Sequence, residues 1–171
     1  GDIVTHLYTG APGKVLDERN RPLPELLEAR DRGVVFDIAH GRFNLNFEVA
    51  QRLLDQGIVP LTISTDMTPH GREGVVKCMT HIMSKFLALG FSLNDVIKMS
   101  TYNPSAFVYM QDEIGTLAEG STADIAILGV EQGKWAYEDS EGMSLTGDTA
   151  IQPVLTFKGG EQYAPDYGPF P

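Results

Sequence analysis

The sequence predicts an α/β fold, parallel strands covered by helices and then a small all-β part, and three observations predict it. Strand-type and helix-type patterns alternate three times before Asp66. The strand runs are apolar on both faces instead of alternating, which marks a parallel sheet buried between helices. From Ile114 the texture changes to short β-type runs separated by Gly and acidic turns. Residues 1–112 are therefore expected to form part of a barrel or of a doubly wound sheet, and residues 113–171 a small β subdomain with a C-terminal tail.

Taken in order, Ile3-Val4-Thr5 is a short β-branched strand, and the spacing predicts a helix over 23–31, with Pro24 in its first turn and Gly33 just past its end. Gly33-Val34-Val35-Phe36-Asp37-Ile38 is the second strand. Phe47, Ala50, Leu53 and Leu54 recur at helical spacing over about 46–56, and Gly57 stops that helix. The run from Ile58 to Ser64 is the third strand, with Pro60 near its beginning because proline cannot donate to a central ladder. Further helices are predicted over 73–89, 92–99 and 104–110, the last two separated at Tyr102-Asn103-Pro104. Beyond them, Ile114–Leu117, Ala123–Leu128, Trp135–Tyr137 and Pro153–Phe157 are strand candidates, and Gln162–Pro171 is a proline-bearing tail. Trp135, Tyr137, Tyr163 and Tyr167 are expected to pack the small sheet and tail.

The 171 residues carry 13 Lys+Arg against 23 Asp+Glu, a formal net charge of −10. No basic run interrupts that acidity, which argues against nucleic acid as a partner. Cys78 is the sole cysteine, so no internal disulfide forms, and a reducing, cytoplasmic setting is the expectation. The longest apolar stretches fall well short of the ~18 residues a membrane span needs, so no membrane is expected. The chain opens at Gly1-Asp2 without methionine, and its first residues already read as a strand running into a site. That is the expected look of a truncated chain.

One ligand-type side chain follows each strand: His6 after Ile3-Val4-Thr5, His40 after Ile38-Ala39, and Asp66 after Ser64-Thr65. Functional groups in parallel α/β barrels project from the carboxyl ends of strands, so three such positions would converge on one pocket. Imidazole and carboxylate donors together suit a borderline cation such as zinc. The structural readings stand beside the functional ones: a histidine can be a hydrogen-bonded core residue, and Asp66 can be a helix N-cap. Asp37 is open between orienting an imidazole and accepting in a turn. Arg42, His70 and Arg72 are candidates to hold a substrate carboxylate, against the alternative of solvated loop charges. His81 and Cys78 read as packing or surface residues.

These runs resemble a known family. Gly1-Asp2-Ile3-Val4-Thr5-His6, Phe36-Asp37-Ile38-Ala39-His40-Gly41 and Ser64-Thr65-Asp66 are similar to successive metal-site strands of the amidohydrolase superfamily, within its dihydroorotase-like and deacetylase-like branch. Ser100-Thr101-Tyr102-Asn103-Pro104-Ser105-Ala106 and Ile114-Gly115-Thr116-Leu117, continuing to Ala123-Asp124-Ile125, resemble the passage that leads from barrel to small β-sandwich in those enzymes. The resemblance extends to about Leu128.

It implies the C-terminal part of a TIM-like (β/α)8 barrel followed by strands of a small β-sandwich. It also implies metal-dependent hydrolysis of an amide or ester bond in a small molecule, with one or two divalent ions, zinc foremost. His6 and His40 would correspond to the histidines of the fifth and sixth barrel strands, and Asp66 to the last-strand aspartate that binds metal and takes the proton from attacking water. A cyclic-amide hydrolase of the dihydroorotase type is the alternative within the family, and a non-catalytic binding or assembly module the alternative outside it.

Two departures accompany the resemblance. Only 66 − 40 = 26 residues separate His40 from Asp66, so the strand the family places between them is either very short or absent, in which case the strand count is off by one. The family's His-x-His pair and bridging carboxylated lysine have no counterpart, since none of Lys14, Lys77, Lys85, Lys98, Lys134 and Lys158 ends an apolar strand ahead of His6. By that reading the chain is a half-barrel, inactive alone, whose partner is the N-terminal half of the barrel or a second copy.

Overall fold

The computed structural model describes residues 1–164, so Tyr167 and most of the proline-bearing tail lie outside the described residues. β1 (Ile3–Val4) runs parallel to β2 (Val35–Phe36), with Ile3 opposite Val35 and Val4 opposite Phe36. The third extended segment lies directly against β2. Asp37 bridges Thr62 in parallel sense, and Leu61 N to Phe36 O (2.7 Å), His40 N to Ser64 O (3.1 Å) and Gly41 N to Thr65 O (2.9 Å) continue the pairing. It does not form a regular strand because Pro60 supplies no donor and the Ile63 N–H is spent on the carbonyl of Met99, 3.2 Å away. Three parallel segments therefore stand side by side, and no strand lies between those that carry His40 and Asp66.

Helices connect and cover these segments. α1 (Pro24–Asp31) starts on a proline whose missing N–H costs nothing in a first turn. α2 (Phe47–Leu54) is capped by the Asn46 side chain, which accepts from Val49 N at 2.9 Å, and buries Phe47, Ala50 and Leu53. The helix expected over 73–89 starts only at α4 (Met79–Ala88), because Gly74 and the left-handed Lys77 (φ 50°) interrupt its first turns, and a separate short helix, α3 (Pro69–Glu73), lies ahead of it. α5 (Leu93–Ser100) carries its own N-cap, with Ser92 accepting from Asp95 N at 3.1 Å. α6 (Tyr102–Phe107) follows a single non-helical residue, Thr101, so Pro104 sits in its first turn instead of ahead of it. Among the described residues no helix is long and apolar enough to cross a membrane.

Four strand candidates were expected after Ile114, and the structure merges them. β3 (Ile125–Glu138) joins two of them, β4 (Ser144–Lys158) contains a third, and β5 (Glu161–Tyr163) closes a three-stranded antiparallel sheet in the order β3-β4-β5. Residues 114–117 form no strand. The hairpin tolerates Pro153 because it falls where the register shifts between Ile127 and Leu128.

This sheet is not independent of the helices. α4 packs on β4, the Ser84 hydroxyl accepts from Ile151 N at 2.9 Å, and Tyr137 and Ile151 belong to the same buried cluster as Tyr8, Ile38, Ile82 and Phe86. The turn of the hairpin is pinned too. Buried Asp139 accepts from Phe47 N at 3.0 Å, at the start of α2, and from Glu141 N and Met143 N at 2.8 and 2.9 Å. A carboxylate there satisfies donors that a helix N-terminus leaves unpaired and complements its dipole.

His81, on α4, is buried with its ring tilted against Tyr137, centroids 5.6 Å apart. Burial pulls its pKa down to about 3, aided by the charge on Lys85. The unfolded chain therefore binds a proton at His81 between pH 6.5 and 3 that the folded chain refuses. Stability from this group is present above pH 6.5 and is lost as pH falls towards 3. Between pH 6 and 5, where carboxylates contribute little, His81→Phe is expected to reduce the slope of unfolding free energy against pH by about one proton, ~1.4 kcal/mol per pH unit. Urea titrations at a series of pH values measure it, and an unchanged slope would contradict the assignment.

Candidate active site

The ends of the three parallel segments are distorted alike. His6 (φ 63°), Ala39 (φ 40°) and Asp66 (φ 44°) all have left-handed backbone, as does Gly41 (φ 49°). Histidine and aspartate visit this region more readily than most residues, whereas alanine does so against a penalty of ~1 kcal/mol or more. Such strain persists only where surrounding contacts over-determine the backbone.

Those contacts centre on Asp37. Its carboxylate accepts from the hydroxyls of Thr5 (2.9 Å), Thr62 (2.6 Å) and Ser64 (2.9 Å), one residue before His6 and four and two residues before Asp66. Asp37 is thus neither an imidazole partner nor a turn acceptor: it ties three strands together beneath the residues they deliver.

The two histidines meet different surroundings. His6, half-buried, donates from Nδ1 to the carbonyl of Ala39 at 2.9 Å. That bond puts the hydrogen on Nδ1 and leaves the Nε2 lone pair for a cation, the usual arrangement of a metal-ligating imidazole. His40 is wholly buried, with Nδ1 donating to the carbonyl of Gly41 at 2.8 Å and Nε2 accepting from Lys85 Nζ at 2.8 Å. Both ring nitrogens are occupied. Of the two histidines expected to bind metal, His40 thus has its Nε2 engaged by Lys85, whereas His6 has not. Burial, then the charge of Lys85, draws the His40 pKa down to about 3, so the ring is neutral.

Asp66 is exposed, and its carboxylate lies so close to Gly41 that a methyl group there would collide with it. Glycine at 41 is required on both grounds, positive φ and close approach. Among the described residues no group of three His, Cys, Asp or Glu side chains is gathered to hold a metal. What fits a zinc-type ion is the pair of donors His6 Nε2 and the Asp66 carboxylate, nitrogen and oxygen ligands of the right chemistry. Arg42 is exposed with its guanidinium 5.1 Å from the centre of the Phe43 ring. His70 and Arg72 sit on α3, exposed and half-buried respectively, and Gly71 brings that helix alongside the Arg42 backbone.

Sequence reasoning missed Lys85. It is fully buried on α4, and its Nζ donates to His40 Nε2 and, at 2.6 Å each, to the carbonyls of Val75 and Glu138. Burial lowers its pKa to about 7, a shift that the charge of Asp139 opposes. The one available signal was a lysine set between Ile82 and Phe86 in the apolar face of its helix.

Comparison with known proteins assigns the chain to a family. The model of the amidohydrolase family matches residues 16–159, and the chain belongs to that family. A deacetylase from Enterococcus faecalis is 32% identical over 165 residues, which cover 95% of this chain and 44% of that protein. A deacetylase from Brucella anthropi is 32% identical over 143 residues, covering 83% of this chain and 35% of that protein. The crystal structure of an adenine deaminase superposes with a TM-score of 0.90 at 31% identity, and that of a dihydroorotase with 0.80 at 26%, each covering 95% of this chain and 44% of the other. The chain thus spans less than half the length of the relatives it matches.

Removing the Asp37 carboxylate leaves three strand-end hydroxyls without their common acceptor. Asp37→Ala is expected to lower the unfolding free energy by ~2–4 kcal/mol, and Asp37→Asn, which keeps one acceptor oxygen, by less. Urea unfolding of both variants checks the order, and equal losses would mean that the clamp is only packing.

Proposed function

We propose that this chain is part of a metal-dependent hydrolase that cleaves an amide or ester bond in a small molecule, an N-acyl or O-acyl compound bearing a carboxylate. The observation that carries the reading is the His6 ring, held by the Ala39 carbonyl so that Nε2 is left for a cation, in a chain of the amidohydrolase family whose Asp66 follows the third of the parallel segments. The deacetylase relatives favour acyl transfer to water. The dihydroorotase neighbour supports cyclic-amide hydrolysis as the second reading.

A divalent cation at such a site acidifies water and polarises the scissile carbonyl. His6 Nε2 and the Asp66 carboxylate would hold it. Asp66 takes the proton from the attacking water and returns it to the departing nitrogen or oxygen, a general-base role open to an exposed carboxylate at the mouth of the strands. Arg42, His70 and Arg72 are the groups that would hold the substrate carboxylate, an arginine fork matching its two oxygens. The remaining ligands of a complete site would come from residues outside this chain, in a neighbouring half-barrel or a second copy. If Asp66 stands on the last strand of a (β/α)8 barrel, the direct pairing of the three segments puts His6 on the sixth strand and His40 on the seventh, one later than the resemblance alone suggests.

The test is a zinc-supplemented screen of the full-length protein against N-acyl amino acids, acyl hydroxy acids and cyclic amides. Turnover is expected in an acyl class, and none in all three classes sinks the proposal. With a substrate in hand, Asp66→Asn is expected to lower kcat by at least ~10²-fold while leaving the unfolding midpoint nearly unchanged.

A further inference from the structure

A lysine costs several kcal/mol to bury as an ammonium, and α4 would fold as well with a methionine at position 85. Lys85 is nonetheless fully buried, and its hydrogen bonds go to three neutral acceptors on three separate elements. They are the His40 ring beyond β2, the Val75 carbonyl ahead of α4, and the Glu138 carbonyl at the end of β3. All three ammonium hydrogens are used.

The consequence falls on His40. The Gly41 carbonyl can only accept, so the hydrogen of a neutral ring must sit on Nδ1. Nε2 then presents a lone pair, and Lys85 Nζ must be the donor across the 2.8 Å between them. The carbonyl that His40 grips belongs to the glycine against which Asp66 lies, and the Gly41 N–H is bound to the Thr65 carbonyl at 2.9 Å, one residue before Asp66. A continuous line of contacts therefore runs from Lys85 through His40 and Gly41 to Asp66.

We propose that Lys85 is a positioning residue: its Nζ occupies the Nε2 lone pair that the Gly41 bond leaves on His40, withholds that ring from the metal, and through Gly41 sets the place of the Asp66 carboxylate. The last two parts rest on the hydrolase reading given above, whereas the occupied Nε2 does not. Burial, which holds His40 near pKa 3, works in the same direction by keeping the ring neutral.

Long-range proton–nitrogen spectra of the full-length protein, labelled with 15N-histidine, test it. The His40 signals are assigned by their loss in His40→Gln, and those of His6 by their loss in His6→Gln. His40 is expected to show a protonated Nδ1 and a bare Nε2, unchanged from pH 6 to 5, where Lys85 is an ammonium, and unmoved by added zinc. The Nε2 signal of His6 is expected to shift with zinc. In Lys85→Met the His40 Nε2 signal is expected to shift to that of a lone pair without a donor while Nδ1 stays protonated, with kcat lowered about 10-fold or more, KM altered less than about threefold and zinc content unchanged. A His40 Nε2 that carries hydrogen or responds to zinc overturns the proposal in the wild-type protein itself, whether or not the variant folds. A folded Lys85→Met with the wild-type His40 spectrum overturns it as well. Absence of zinc response at His6 and of turnover, with the expected His40 spectrum, upholds the lock and overturns the hydrolase reading instead.

Discussion

Three hydroxyls converge on the Asp37 carboxylate, and the rest of the site depends on that convergence. Backbone pairing alone gives β1 and β2 two residues each and joins the third segment to β2 by one bridge and a few further hydrogen bonds. So short a ladder does not fix where three strand ends stand relative to one another. A charged acceptor reached from Thr5, Thr62 and Ser64 does, because hydrogen bonds to an ionised group are roughly twice as strong as neutral ones. The left-handed residues at His6, Ala39 and Asp66 lie immediately beyond the clamp, where a backbone held on one side can be bent on the other.

A second tie operates from the far side of the molecule. The β3–β4 hairpin reaches back over the helices, and Asp139 in its turn accepts from the first N–H of α2, while the Glu138 carbonyl takes a hydrogen from Lys85. Ser140 N and Leu45 O add a 2.9 Å bond beside them. The hairpin thus closes the loop that leaves β2, the loop containing His40 and Gly41. Its core residues Tyr137 and Ile151 merge with those of the α/β part, so the small sheet and the strand ends share one hydrophobic cluster across the boundary expected at residues 112 and 113.

Much of this was legible in the sequence because it is local. Asn46, Ser92, Gly33 and Gly57 mark helix ends through their own side chains or backbone freedom, and α1, α2 and α5 fall where those marks put them. The order of strand ends and the residues they deliver was equally plain, since apolar runs followed by His or Asp need no tertiary information. What escaped was non-local. Strand length depended on which carbonyl the Ile63 N–H would find, and Met99 lies 36 residues further on (99 − 63). The runs 123–128 and 135–137 read as separate strands because Gly129 and Gly133 interrupt the pattern, yet pairing with β4 runs through Gly129 and resumes at Trp135 after a register shift at Gly133. Lys85 could be seen as an oddity in an apolar helix face, but not that its partners would be a histidine 45 residues upstream and a carbonyl 53 residues downstream.

The clearest case is the pair His6 and His40, which the sequence presents as equals: each follows an apolar strand, and each is three residues or fewer from a strand residue bound to Asp37 or from Asp37 itself. Their chemistry diverges at one atom. Each donates from Nδ1 to a backbone carbonyl, of Ala39 in one case and Gly41 in the other, so each directs Nε2 away from the chain. At His6 that nitrogen is left for a ligand. At His40 it points into the protein, where Lys85 meets it. Residue type and strand position together select candidates for metal binding, but the group opposite Nε2 decides between them, and that group arrives from a helix that neither strand adjoins in sequence. A ligand assignment made from motif alone does not see that group, and so treats alike a ring whose Nε2 is left open and one whose Nε2 is already engaged.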